Sequence, residues 1–407
     1  MTGRTGIWVI GTLDTKREAV EYLAARIEAH GHRPVVVDVS LSATPVASRV
    51  DISAADVAAA GGSDLAALQG LSRSAAMQHM MTGAAATLSG GHRRGEVRGV
   101  LAVGGSGGTA IASQAMRELP IGLPKLIVST VAAGDVRRYV GASDLGMLSS
   151  VVDIMGLNSI LERVLSNAAA AVAGMVAAGP VADTRVRRRV VAITSFGVTT
   201  PCVQRCRALL EERDFEVLVF HARGSGGRAM EDLVRAGEVD AVLDVTTTEL
   251  ADEIAGGMMS AGPDRLDAAA AAGIPQVVVP GALDVVNFGA PDLVPAALRD
   301  RLFHAHNPDN LVMRTSAEEL AAVGRLMARK LNRASAPVEV LIPARGFSDY
   351  DRAGGVFSDP AADAEFTAAL RADLRPGVDV TSVDAHINDE TFADRCVERL
   401  LHLIRER

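Results

Sequence analysis

Apolar residues in this chain gather in short unbroken blocks, separated by Ala-rich stretches with helical spacing. Residues 6–10, 34–38, 98–103 and 125–130 form the first set of blocks. Runs of five or six residues, rich in Val and Ile and apolar on both faces, predict buried parallel strands. The capping-box spacing of Thr15 and Glu18 predicts a helix from there to about residue 30. Residues 53–90 read as helical, broken at Gly61-Gly62 and Gly90-Gly91, and 151–178 read as one long helix. Beyond a Gly- and Pro-bearing boundary at 178–184 the alternation restarts, with strands at 190–194, 216–220, 239–245, 276–279 and 338–342. This pattern predicts an α/β fold of two Rossmann-like doubly wound domains, 1–182 and 183–407.

A glycine-rich turn appears twice, each time between a strand-like and a helix-like run. The first is Gly104-Gly105-Ser106-Gly107-Gly108-Thr109; the second is Gly224-Ser225-Gly226-Gly227-Arg228. Glycines leave backbone N–H groups uncovered at a helix N-terminus, which suits an anion such as phosphate. A further echo pairs Ala133-Gly-Asp135-Val136 with Ala282-Leu-Asp284-Val285. Together they point to internal duplication, with a Thr-rich insertion at 246–262 lacking a first-half counterpart.

Composition narrows the function classes. The 407 residues carry a net charge of −8, with no long basic run, which argues against nucleic acid or an anionic membrane as partner. The short run 185–189 reads as a solvated linker. No signal sequence and no membrane-spanning apolar run are read, so the expectation is a cytoplasmic protein. Cys202, Cys206 and Cys396 read as structural thiols, and no metal site is read.

Candidate chemistry lies at strand ends. Gly11-Thr12-Leu13-Asp14-Thr15-Lys16 follows the first strand and offers hydroxyls, an ammonium and backbone N–H groups to a phosphate. It is neither a Walker loop nor a dinucleotide fingerprint. Asp38, closing the second strand, is placed to bond a ribose hydroxyl. Ser129, Thr130, Gly134 and Asp135 follow the next strand, with Asp135 placed to hold Mg²⁺ through water or to cap a helix. Residues 104–108 also satisfy Gly-x-Ser-x-Gly, leaving open a serine nucleophile at Ser106 with Asp284 and His304 or His306. The phosphate cradle is favoured, because the second copy has Arg223 where that elbow needs its first glycine. In the second half Glu249, Asp284, His304 and His306 are the candidate acid–base groups, the two histidines lying in a loop.

The strings at 11–16, 104–109, 196–203, 226–231, 244–249, 260–265 and 306–308 resemble those of the Tm-one-like ATP-binding family, over almost the whole chain. The resemblance implies two Rossmann-like domains, ATP held by the N-terminal one at the loops 11–16 and 104–109, and a homodimer. Apart from the resemblance, the polar cluster of the second half is read as facing a cleft between the domains that takes a small metabolite, with a metal-assisted or serine-type hydrolase acting on it as the alternative; the identity of any reaction stays open. Arg17 departs from the family pattern, where Gly is expected.

Overall fold

The computed structural model describes residues 5–42, 49–179, 188–307 and 310–406. Most of the predicted boundary at 178–184 and of the run 185–189, and Pro308, lie outside the described residues. The chain separates into two compact units, Met1–Thr184 and Arg185–Arg407.

In the first unit β1 (Gly6–Gly11), β2 (Pro34–Asp38), β3 (Val97–Gly104), β4 (Lys125–Ser129) and β5 (Gly146–Ser149) form a parallel sheet in the order β2-β1-β3-β4-β5. Successive strand residues face opposite helix layers. Trp8, Ile10, Val100 and Ala102 enter one core, and Ile7, Val9, Leu101 and Val103 the other. Burial on both faces is why these blocks carry no polar alternation.

In the second unit β6 (Val190–Ser195), β7 (Glu216–His221), β8 (Ala241–Thr246) and β9 (Gln276–Gly281) are followed by three antiparallel strands. These are β10 (Val285–Asn287), β11 (Phe303–Asn307) and β12 (Asn310–Arg314), ordered β10-β12-β11. Then β13 (Val338–Pro343) and β14 (Asp379–Val383) complete a main sheet of order β14-β13-β9-β8-β6-β7. Counted within its own sheet, each unit runs 2-1-3-4-5, and the second adds a sixth strand.

That shared order corrects how the halves correspond. The first glycine turn follows the third strand of its sheet, the second follows the second strand, so the two turns are not equivalent positions. The segment 246–262 is no insertion: its helix Thr248–Ala255 follows β8 as the helix Ser106–Arg117 follows β3. The Ala-x-Asp-Val echo does correspond, following β4 and β9, the fourth strand of each sheet.

Other expectations shift. The first helix starts at Leu13, with Thr12 as N-cap, because Leu13 and Asp14 find acceptors on the β2 loop; Lys16 then departs from helical geometry (φ −126°, ψ 21°). The predicted break at Gly90-Gly91 is absent from the helix Arg73–Arg93. There Gly91 is set against Trp8, whose ring would lie 2.4 Å from an added Cβ. Residues 151–158 are irregular, and the long helix is Ser159–Ala178. By length and composition that helix could cross a membrane, contrary to the reading that no run is long enough. Its Leu161, Leu165, Ala168, Ala169 and Val172 pack into the sheet core at helical spacing. His304 and His306 sit on β11, not in a loop.

Candidate functional site

In an order of 2-1-3-4-5 the chain leaves β1 and β3 in opposite directions, and the crevice beyond their carboxyl ends is where such sheets take ligands. Both predicted phosphate loops flank that crevice, yet they differ in what they have to offer.

The loop after β1 is closed. Leu13 N–H donates to Asp38 Oδ1 (3.1 Å), Asp14 N–H to Ser40 Oγ (3.1 Å), and Thr15 and Lys16 N–H to Thr12 O (3.2 and 2.7 Å). Lys16 Nζ donates to Ile154 O at 2.5 Å. The hydroxyls of Thr12 and Thr15 meet each other at 2.9 Å, and Asp14 accepts from Ser42 Oγ. Asp38 is fully buried and also takes Ser40 N–H and Oγ–H, so its carboxylate ties β2 to the first helix rather than lying open to a ribose. Gly11 has another reason for being glycine: an added Cβ would lie 2.4 Å from Val20.

The loop after β3 is open. The helix Ser106–Arg117 starts after Gly105, which has no side chain to cap it, and the first helical bond runs from Thr109 N–H to Gly105 O. The amides of Ser106, Gly107 and Gly108 therefore lack helical acceptors and point out of the end carrying the positive dipole. Beneath them Thr109 Oγ1 and Ser129 Oγ, both fully buried, bond at 2.6 Å and brace the turn. Thr130 N–H donates to Gly104 O (3.3 Å), and Thr130 Oγ1 would lie 3.8 Å from a Cβ on Gly105. Arg73 was not read from the sequence. Its exposed guanidinium lies 3.8 Å from where a Gly107 Cβ would be, brought there by the helix Arg73–Arg93. Nothing in the local sequence marks that cation, because β3 and the rest of its own helix separate it from the turn.

Gly134 and Asp135 lie exposed beyond β4. Asp135 is engaged with Arg137 Nη2 (2.7 Å), Nε (3.0 Å) and N–H (3.1 Å), which hold its carboxyl down to about 2. Ser106 Oγ is exposed and has no hydrogen-bond partner among the described residues. Nor is Ser106 among the residues with positive φ, as a strained nucleophile turn would make it.

The second glycine turn already holds an anion, supplied by the chain itself. Glu249 Oε1 accepts from Gly224 N–H (2.6 Å) and Gly227 N–H (3.1 Å), while its Oε2 accepts from Arg265 Nε (2.7 Å). Arg265 forms a bidentate pair with Asp244 (2.6 and 2.7 Å) and reaches Glu231 at 3.4 Å, all of them buried. Burial alone would lower the Arg265 pKa, but Asp244, Glu249 and Glu231 outweigh it and raise the group well above its ordinary value. Glu249 is thus a structural carboxylate, and a Cβ on Gly227 would collide with it at 2.1 Å.

Asp284 is also fully buried. It accepts from Ser348 Oγ (2.6 Å), near Arg314, Asp351 and Asp363. Burial, with the neighbouring Asp351, pushes Asp284 up to about 7 and Asp363 up to about 8. Arg314 pairs with Asp363 at 2.7 Å. Asp284 Oδ1, Asp351 Oδ1 and the Arg314 Nε and Nη1 are buried without hydrogen bonds. His304 is half-buried and His306 exposed; both meet Tyr350, whose N–H donates to Ser348 Oγ (3.1 Å). So Asp284, His304 and His306 gather around the segment 347–351, whereas Glu249 belongs to the Arg265 network. The three cysteines are buried and free, on the helices Thr200–Glu211 and Glu390–Arg405. Among the described residues no group of three or more His, Cys, Asp or Glu is set to hold a metal ion.

Two doubly wound α/β domains, one with an uncapped helix N-terminus at its switch point and one whose glycine turn is internally filled, define the class. The chain belongs to the uncharacterised protein family UPF0261: the model of its N-terminal domain matches residues 5–180, and that of its C-terminal domain residues 188–404. A UPF0261 protein of Rhizobium meliloti is 46% identical over 399 residues, covering 96% of this chain and 97% of that one. A UPF0261 protein of Clostridium tetani is 42% identical over 402 residues, 98% and 99% of the two chains. The ToMV resistance protein Tm-1 of Solanum lycopersicum is 45% identical over 312 residues, which cover 75% of this chain and 41% of the tomato protein.

Proposed function

We propose that the first unit binds a nucleotide, ATP, with its phosphates on the turn Gly104–Thr109. The observation carrying this reading is the uncapped N-terminus of the helix Ser106–Arg117 at the switch point, with the Arg73 guanidinium beside it. Three unpaired amides, a helix dipole and a cation favour a multiply charged anion. Thr130 and the Thr12 and Thr15 hydroxyls border the same crevice as further hydrogen-bonding groups. Asp14, exposed in the first turn of the helix Leu13–Ala29, is a carboxylate that would face an accompanying Mg²⁺ through water, with Ser42 Oγ on its Oδ2. Lys16 and Asp38 position the loop and do not touch the ligand.

The test is calorimetric titration of Mg-ATP into the full chain and into Gly107→Asp. A carboxylate in the first helical turn favours the helix, so Gly107→Asp folds with wild-type or higher Tm, while its charge repels phosphate. ATP affinity is expected to fall by about tenfold or more, equivalent to about 1.4 kcal/mol. Arg73→Ala is expected to weaken binding by a similar factor. Unchanged affinity in Gly107→Asp would place the nucleotide elsewhere.

A further inference from the structure

The hairpin β11–β12 carries an arrangement that the nucleotide reading does not use. His304 and His306, two residues apart on β11, both meet the Tyr350 phenol ring. The ring centroids of His304 and Tyr350 are 5.0 Å apart, and His306 Nδ1 lies 2.8 Å from Tyr350 Oη. Phe357 packs edge-on against His304 and Tyr350, at 6.4 and 5.6 Å, and Ser348 holds the Tyr350 backbone. Two chain segments therefore fix three donor-bearing rings before any ligand arrives.

We propose that His304, His306 and Tyr350 form a site for a divalent transition metal of the Cu²⁺ or Ni²⁺ type. Two ligands at right angles on such an ion, each about 2.0–2.1 Å from it, lie about 2.9 Å from one another. The 2.8 Å between His306 Nδ1 and Tyr350 Oη has that span. The ion replaces the proton between them, and the released proton goes to solvent. The β11–β12 ladder shifts register between Ala305 and Asn307, and it is the shared contact with Tyr350 that brings the His304 imidazole to the same side as His306. His306 is exposed, so water completes the coordination shell and the metal exchanges freely. Imidazole and phenolate oxygen suit Cu²⁺ and Ni²⁺ far better than Ca²⁺ or Mg²⁺.

Cu²⁺, buffered with glycine, is titrated into the chelator-stripped full chain and followed by calorimetry and visible absorption. One equivalent is expected, with a phenolate-to-Cu²⁺ charge-transfer band. His304→Phe, which keeps the ring packing, and His306→Gln are each expected to weaken binding by about tenfold or more, with unchanged circular dichroism. Tyr350→Phe is expected to lose the band. The sequence holds a second His-x-His pair, His30 and His32, and the His30→Ala/His32→Ala double variant is expected to bind as the wild type does. Undiminished affinity in His304→Phe and His306→Gln would overturn the site. So would loss of binding in the double variant, a band surviving in Tyr350→Phe, or no saturable binding by the folded wild type.

Discussion

Asp284 shows how one residue's surroundings set a property of the entire fold. It is fully buried, and three carboxylates share the single Arg314 guanidinium, so the folded chain retains protons that the unfolded chain releases. Asp284 ionises at about 7 when folded and in the ordinary carboxylate range when unfolded. Between those values the folded state binds more protons, so stability falls as pH rises from about 4 to about 7 and then levels. Asp363, raised to about 8, extends the decline by one further pH unit. Asp284→Asn mimics the neutral carboxyl, so it is expected to leave Tm nearly unchanged at pH 4, raise it progressively toward pH 8 and flatten the slope between. Thermal melts across that range check this; a larger loss at pH 8 than at pH 5 would contradict it. None of this is legible in sequence, because Arg314, Ser348, Asp351 and Asp363 reach Asp284 from separate elements.

At the scale of elements, legibility follows burial. β1, β3, β6 and β9 are buried on both faces or nearly so, and their unbroken apolar blocks mark them in the sequence. β5 and β14 are edge strands with half-exposed Ser and Thr, and their mixed composition hides them. β10 has three residues, too few for any period to show. The helix Thr248–Ala255 hid behind its own threonines: Thr247 Oγ1 donates to Val279 O and Thr248 Oγ1 to Val285 O, so side chains that resemble a loop anchor a buried turn. The glycine turns were found because their spacing is local. Their difference was invisible because Glu249 lies 22 residues beyond Gly227 and Arg73 lies 34 before Gly107.

The whole molecule is two units, each closing its own hydrophobic cores: two flank the first sheet, and Val340 and Leu341 of β13 enter the two larger clusters of the second unit. Calorimetric melting is therefore expected to resolve two transitions. Mg-ATP at a hundred times its Kd is expected to raise the one belonging to the first unit, by about 2.7 kcal/mol, and leave the other in place. A single transition shifted as one would refute independent melting. The filled turn of the second unit carries a consequence of its own. Truncating Glu249 to Ala leaves two backbone N–H groups and the Arg265 fork facing a hole the size of a small carboxylate. Chemical rescue becomes the readout: millimolar formate is expected to restore part of the lost second transition in Glu249→Ala, while neutral formamide leaves it depressed. An internal side chain would thereby be exchanged for a diffusible one, turning a structural brace into a receptor for the anion it replaced.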